Sequence, residues 1–125
     1  MVQVETSQLT GECNSWREKL RQYRDEFSKD KIKLQDTASR SLSRDQLQQV
    51  EHLHNQFHIQ LINIHDLKHA VKSHEQKMHY DMNVNNKLNH ETMAEHESLL
   101  DQYQRLESTL QGLRDEFEEF LSRTS

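Results

Sequence analysis

Nine histidines stand in this chain of 125 residues, and seven of them fall between His52 and His79. Imidazole binds transition metals in its neutral form and titrates close to neutral pH, so such crowding points to metal or proton chemistry. On a helix, His54, His58, His65 and His69 fall on one face, with Glu51 one turn before His54. The pairs His54/His58 and His65/His69 have i,i+4 spacing, which lets two imidazoles reach one point beside the helix and hold a divalent transition metal.

Carboxylate–histidine pairs extend that reading. Glu51-x-x-His54 has the Glu-x-x-His spacing that metal-binding helical bundles draw from two helices, and Asp66-x-x-His69 is its aspartate variant. His65-x-x-x-His69 and His96-x-x-x-x-Asp101 look like two of the ligand pairs of hemerythrin-type bundles. The first two pairs, however, lie some fifteen residues apart on one helix, roughly 22 Å at ~1.5 Å per residue, too far to share an ion within one chain. No metal ligand set is therefore assigned. The reading placed first makes the column a solvated flank whose rings cover apolar neighbours. The alternatives are a metal site and a pH switch, since protonating all nine histidines would carry the net charge from −5 to +4. A further alternative makes individual histidines, such as His96 or His74, buried and hydrogen-bonded.

Other chemistry is quickly bounded. Cys13 is the single cysteine, which excludes an internal disulfide and a Cys-based zinc cage. It occupies a seam position with no histidine near it in sequence, and reads as a core thiol. Two glycines cannot build a phosphate-cradling loop. Trp16, Tyr23 and Phe27 have core spacing rather than that of a stacking site. Arg17, Lys19, Arg21 and Arg24 interleave with acids and alternate faces, and Glu118/Glu119 belong to an acidic helix end. No catalytic constellation is present, so the chain does not read as an enzyme. With net charge −5 and no long apolar run, neither nucleic acid nor a membrane is an expected partner. The N-terminal residues have neither the basic end nor the apolar core of a secretory signal, and a cytoplasmic location is expected.

These side chains must be carried by helices. There is no proline, 30% of residues are charged and only 32% are hydrophobic, which excludes a sandwich or barrel and leaves long helices that bury narrow stripes. Three are predicted, over residues 10–38, 44–80 and 87–121. In the first, Cys13, Leu20, Phe27 and Leu34 recur every seven residues, with Trp16 and Tyr23 three residues after the first two. Ser39 to Ser43 breaks the chain, and Ser43 with Gln46 has the spacing of a capping box flanked by a Leu42/Leu47 staple. The second helix carries Val50, Leu53, Phe57, Leu61, Ile64, Leu67, Val71 and Met78. Ile59 and Ile62 fall off that stripe, as a contact with another molecule would require. The Asn-rich segment from Asp81 to Asn86 is read as the second break. The third seam runs through Leu99, Tyr103, Leu106, Leu110, Leu113, Phe117 and Phe120, becoming polar at His96, Thr92 and Asn89.

The fold expected is an all-α, elongated, antiparallel three-helix bundle with coiled-coil seams, a single domain over residues 1–125. The first helix is net +3 between Cys13 and Arg40 and the third net −6 between Lys87 and Leu121, which favours their parallel pairing. The tetrapeptide Arg-Asp-Glu-Phe occurs at Arg24–Phe27 and again at Arg114–Phe117 in matching register. The segments CNSWREKLRQYRDEF (Cys13–Phe27), VEHLHNQF (Val50–Phe57), DLKH (Asp66–His69) and LRDEFEEFL (Leu113–Leu121) resemble a small family of bacterial all-helical proteins. That resemblance implies a helical fold and no assigned activity. The function expected is a small scaffold or adaptor that binds a helical protein, or a second copy of itself, through Ile59 and Ile62. The alternative is a metal-binding or pH-sensing bundle using the histidine column.

Overall fold

The computed structural model describes residues 2–40 and 42–124, with side chains from Thr6 onward; Met1, Ser125 and Ser41, a member of the expected first break, lie outside the described residues. Three helices follow in order, α1 (Val2–Ala38), α2 (Arg44–Asn85) and α3 (His90–Thr124), with no strand among the described residues. They pack as a three-helix bundle. α2 runs antiparallel to the other two, as the contacts Arg17–Glu75 and Phe27–Phe57 show for α1 and Phe57–Phe117 and His74–Glu95 show for α3.

The first turn has the chemistry its sequence predicts. Gln46 N–H donates to Ser43 Oγ at 3.2 Å and Ser43 N–H donates to Gln46 Oε1 at 2.9 Å, so two helix-end amides are satisfied reciprocally. Leu42 packs on the core, whereas Leu47 is left exposed.

The second turn falls later than the expected break. α2 continues through Asp81–Asn85 and ends at Asn86, which adopts the left-handed conformation (φ 57°) and donates its N–H to the Met82 carbonyl at 3.1 Å. Asn89 caps α3 by accepting from Thr92 N–H at 3.1 Å, so the third helix starts at His90 rather than Lys87. Asp81 explains the shift. Its buried carboxylate accepts from Thr92 Oγ1 at 2.6 Å and from Asn89 N–H at 3.2 Å, fastening the end of α2 to the start of α3. The extra turns of α2 in turn cover the start of α1, which begins at Val2 rather than near Thr10; the Thr6 hydroxyl reaches Met82 Sδ at 3.4 Å.

Each helix buries one stripe. In α1, Cys13, Leu20, Phe27 and Leu34 are fully buried, Trp16 and Thr37 nearly so. In α2 the buried positions are Leu53, Phe57, Gln60, Ile64, Leu67, Val71, His74, Met78 and Asp81, an unbroken alternation of four and three. Gln60 rather than Leu61 takes the seam position, and Leu61 packs from the side. The α3 stripe follows the predicted register from Thr92 to Phe120, with Leu106 half-buried. Both copies of Arg-Asp-Glu-Phe deliver their phenylalanine to one ring: Phe27 and Phe117 meet Phe57 edge-on, with centroids 5.3 and 5.2 Å away.

The charge pairing between α1 and α3 is local and runs both ways. Lys19 lies 3.8 Å from Glu107 as the net charges suggest, but Arg114 of the acidic helix reaches Glu26 at 2.9 Å and Asp30 at 3.6 Å. Burial raises the Asp30 carboxyl above its ordinary value, with Arg114 opposing. On these packings, Phe57→Ala is expected to cost about 3–5 kcal/mol of stability. Ser43→Ala, which removes only a cap, should cost about 1 kcal/mol. Urea denaturation of the two variants measures both, and equal losses would contradict the central place given to the Phe57 ring.

Candidate functional site

The expected surface column and an unexpected core layer compete for chemistry. Of the column, His54 is half-buried while His58, His65 and His69 are exposed on α2. The rings of His65 and His69 lie parallel, 6.4 Å apart, and His65 Nδ1 approaches Asp66 at 3.5 Å in a fully solvated setting. Among the described residues these histidines gather no third ligand. His52, outside the column, bonds Glu116 on α3 at 3.0 Å.

A different cluster forms where the three seams turn polar. Cys13 of α1, His74 of α2 and His96 of α3 are all buried, and one ligand atom from each lies within 4.8 Å of the others. Among the described residues this is the one group of three so arranged. His96 Nδ1 is 3.0 Å from His74 Nε2 and 3.8 Å from Cys13 Sγ. The outward nitrogens are both engaged by carboxylates: Glu12 Oε2 meets His96 Nε2 at 2.9 Å, and Glu95 Oε1 meets His74 Nδ1 at 2.7 Å. Lys77 holds the other oxygen of Glu95 at 2.7 Å. Next to the layer, Arg17 pairs with Glu75 at 2.6 Å. Trp16 packs against His96 and Tyr103, with ring centroids 5.0 and 5.8 Å away, and closes the layer on one side.

The seams explain why these residues meet. His74 fills the place between Val71 and Met78 in the α2 alternation, and His96 lies one step before Leu99 in α3. α1 is parallel to α3, and this brings the first seam position of α1, Cys13, level with both. Three side chains separated by more than twenty residues in sequence thus share one layer. Sequence admits a buried His74 or His96 only as an alternative and places no histidine beside Cys13; their meeting depends on the alignment of the three helices.

Electrostatics set the state of the layer. Burial, reinforced by the Glu75 and Glu12 carboxylates, pushes the Cys13 thiol up to about 12, so at neutral pH it is a protonated thiol and a poor nucleophile. Burial lowers His74 below its usual value despite the Glu95 hydrogen bond. Burial also works against the charge of Glu95, but Lys77 and His74 outweigh it and hold that carboxyl low. Further along, Tyr103 donates to Glu107 Oε2 at 3.0 Å, and burial together with that carboxylate holds the phenol well above its usual range.

No protein-family model, no curated protein and no solved structure matches this chain. Nothing in those comparisons adds to the resemblance seen in Cys13–Phe27 and the other three segments.

Two outcomes follow. Because folding depresses His74, the unfolded chain takes up a proton below the ordinary histidine value of 6.5 that the folded chain resists, so stability falls as pH drops through that window. Glu95, also depressed, adds a second loss below its ordinary 4.5. Urea midpoints at pH 7.5 and 5.5 should therefore differ, and His74→Leu should shrink the difference; an unchanged slope in the variant would contradict the assignment. Separately, Cys13 should react with a thiol reagent only at the rate of global unfolding, and rapid labelling of the native protein would show that the layer is open.

Proposed function

We propose that this protein is a small helical scaffold that associates through the outer face of α2, with a second copy of itself as the partner. The observation that carries the reading lies between His52 and His65. These fourteen residues contain no aspartate, glutamate, lysine or arginine, in a chain where 30% of residues are charged. Within them Ile59 and Ile62 are 45% and 48% exposed on the side of α2 away from its seam. A face without fixed charge can be buried without stranding an ion, and depletion of charge marks the centre of protein interfaces. A two-fold pairing places the same patch on itself, which requires a self-compatible surface of this kind.

No reaction is assigned. The thiol of Cys13 is protonated at neutral pH, and the carboxylates beside the histidines are engaged in hydrogen bonds and ion pairs. No helix among the described residues is long and apolar enough to cross a membrane. A reducing compartment such as the cytoplasm suits a chain with one free cysteine.

Light scattering on the eluting protein tests the reading. A mass of about twice the 15.0 kDa chain is expected, falling to one chain in the double variant Ile59→Lys, Ile62→Lys with helicity unchanged. A single-chain mass for the unmodified protein at tens of micromolar would refute self-association.

A further inference from the structure

We propose that Cys13, His74 and His96 form a binding site for one divalent transition-metal ion of the zinc class, held inside the bundle by one ligand from each helix. The inference is independent of the surface reading above, since none of these residues lies on the outer face of α2.

The hydrogen-bonded row through the layer is one proton short. Glu12, His96, His74 and Glu95 form a row with three short contacts, at 2.9, 3.0 and 2.7 Å. Three such contacts need three shared protons, and two neutral imidazoles bring only two. The carboxylates take the outward N–H of each ring, because a carboxylate can only accept. His74 Nε2 and His96 Nδ1 are then left facing each other as bare acceptors. The space between them calls for a cation, either a third proton or a metal ion.

The identity and placement of the neighbours favour the metal. Cys13 Sγ, 3.8 Å from His96 Nδ1, adds a third inward ligand atom of a kind that a shared proton does not need. A zinc-class ion with bonds of ~2.0–2.1 Å to nitrogen and ~2.3 Å to sulfur sets its ligand atoms about 3.3–3.6 Å apart. The layer has 3.0 and 3.8 Å between bonded neighbours and no separation above 4.8 Å, so small side-chain shifts suffice. Two imidazoles and a thiolate select a borderline-soft ion, and exclude magnesium or calcium, which need oxygen ligands.

The surroundings are those of a metal centre as well. Histidine ligands almost always donate their second N–H to a carboxylate or carbonyl, which fixes ring orientation and tautomer; here both do, to Glu12 and Glu95. Charge also balances. With Cys13 as thiolate, the group formed with Glu12, Glu75, Glu95, Arg17 and Lys77 carries two net negative charges, which a divalent ion neutralises. On binding, the Cys13 S–H bond breaks heterolytically, its electron pair forms the metal–sulfur bond, and the proton leaves to solvent. Both imidazoles coordinate through existing lone pairs and keep their outward protons. A fourth, tetrahedral position is left to water or an added small ligand.

The test uses the full, tag-free chain titrated with Co²⁺ and then with Zn²⁺. We expect one Co²⁺ per chain, a thiolate-to-cobalt charge-transfer absorption, displacement by one equivalent of Zn²⁺, release of a proton and a raised melting temperature. Glu12→Gln and Glu95→Gln should each weaken binding by about 10–100-fold. The quadruple variant His54→Ala, His58→Ala, His65→Ala, His69→Ala should keep both the stoichiometry and the charge-transfer band. The deciding observation is made on the unmodified protein, so misfolding of Cys13→Ser cannot mask it. Absence of the charge-transfer band at stoichiometric Co²⁺, or binding that disappears with the surface quadruple, overturns the proposal.

Discussion

Each helix of the bundle offers its neighbours one stripe of side chains, so the core is a stack of three-residue layers with no further interior behind them. A third of the residues are hydrophobic, which leaves no second ring of apolar side chains to absorb a mismatch. Every layer must then be complete from its three members and their immediate flanks. Where the members are phenylalanine or leucine this is a matter of shape, as at Phe27, Phe57 and Phe117. Where they are polar, each hydrogen-bonding atom must find its partner in the same layer or at its rim, because an unsatisfied buried group costs more than the bond is worth.

The polar layers draw on partners at their rim in a way that fixes alignment. His96 and His74 turn their outward nitrogens to Glu12 and Glu95, and Asp81 is completed by Asn89 and Thr92. Sliding one helix by a heptad would set His96 opposite Leu20 instead of Cys13 and part it from Glu12. Leucine seams alone tolerate such shifts, whereas single polar members of a seam specify register at some expense of stability. The two turns reinforce the same alignment, one through the Ser43–Gln46 box and the other through Asn86 and Asn89.

Much of this could be read from residue types. The heptads of α1 and α3 and the Ser43 cap follow from local spacing, because they depend on neighbours within two turns. The end of α2 could not be placed the same way. Asn residues at 83, 85 and 86 all suit a turn, and what selects Asn86 is the Asp81 carboxylate joining Asn89 and Thr92 across the gap. His74 is absent from the apolar stripe read in sequence, and its meeting with Cys13 depends on how far three long helices are offset, a quantity that no single helix encodes. The surface column of His54, His58, His65 and His69 was the louder signal in sequence. It was loud because i,i+4 spacing is local, and the layer was quiet because its members lie on different helices.

The interior changes character along the rod. Near the first turn it is joined by rings meeting edge to face, and near the second by imidazole, thiol, carboxylate and hydroxyl groups. Aromatic contacts hold their strength over a wide range of solution conditions, whereas the polar layers answer to protons and to cations. Contacts indifferent to pH and contacts that depend on it thereby lie toward opposite ends of one continuous body. The polar layer takes one side chain from each helix, so a change of proton or cation there acts on all three helices rather than on a loop.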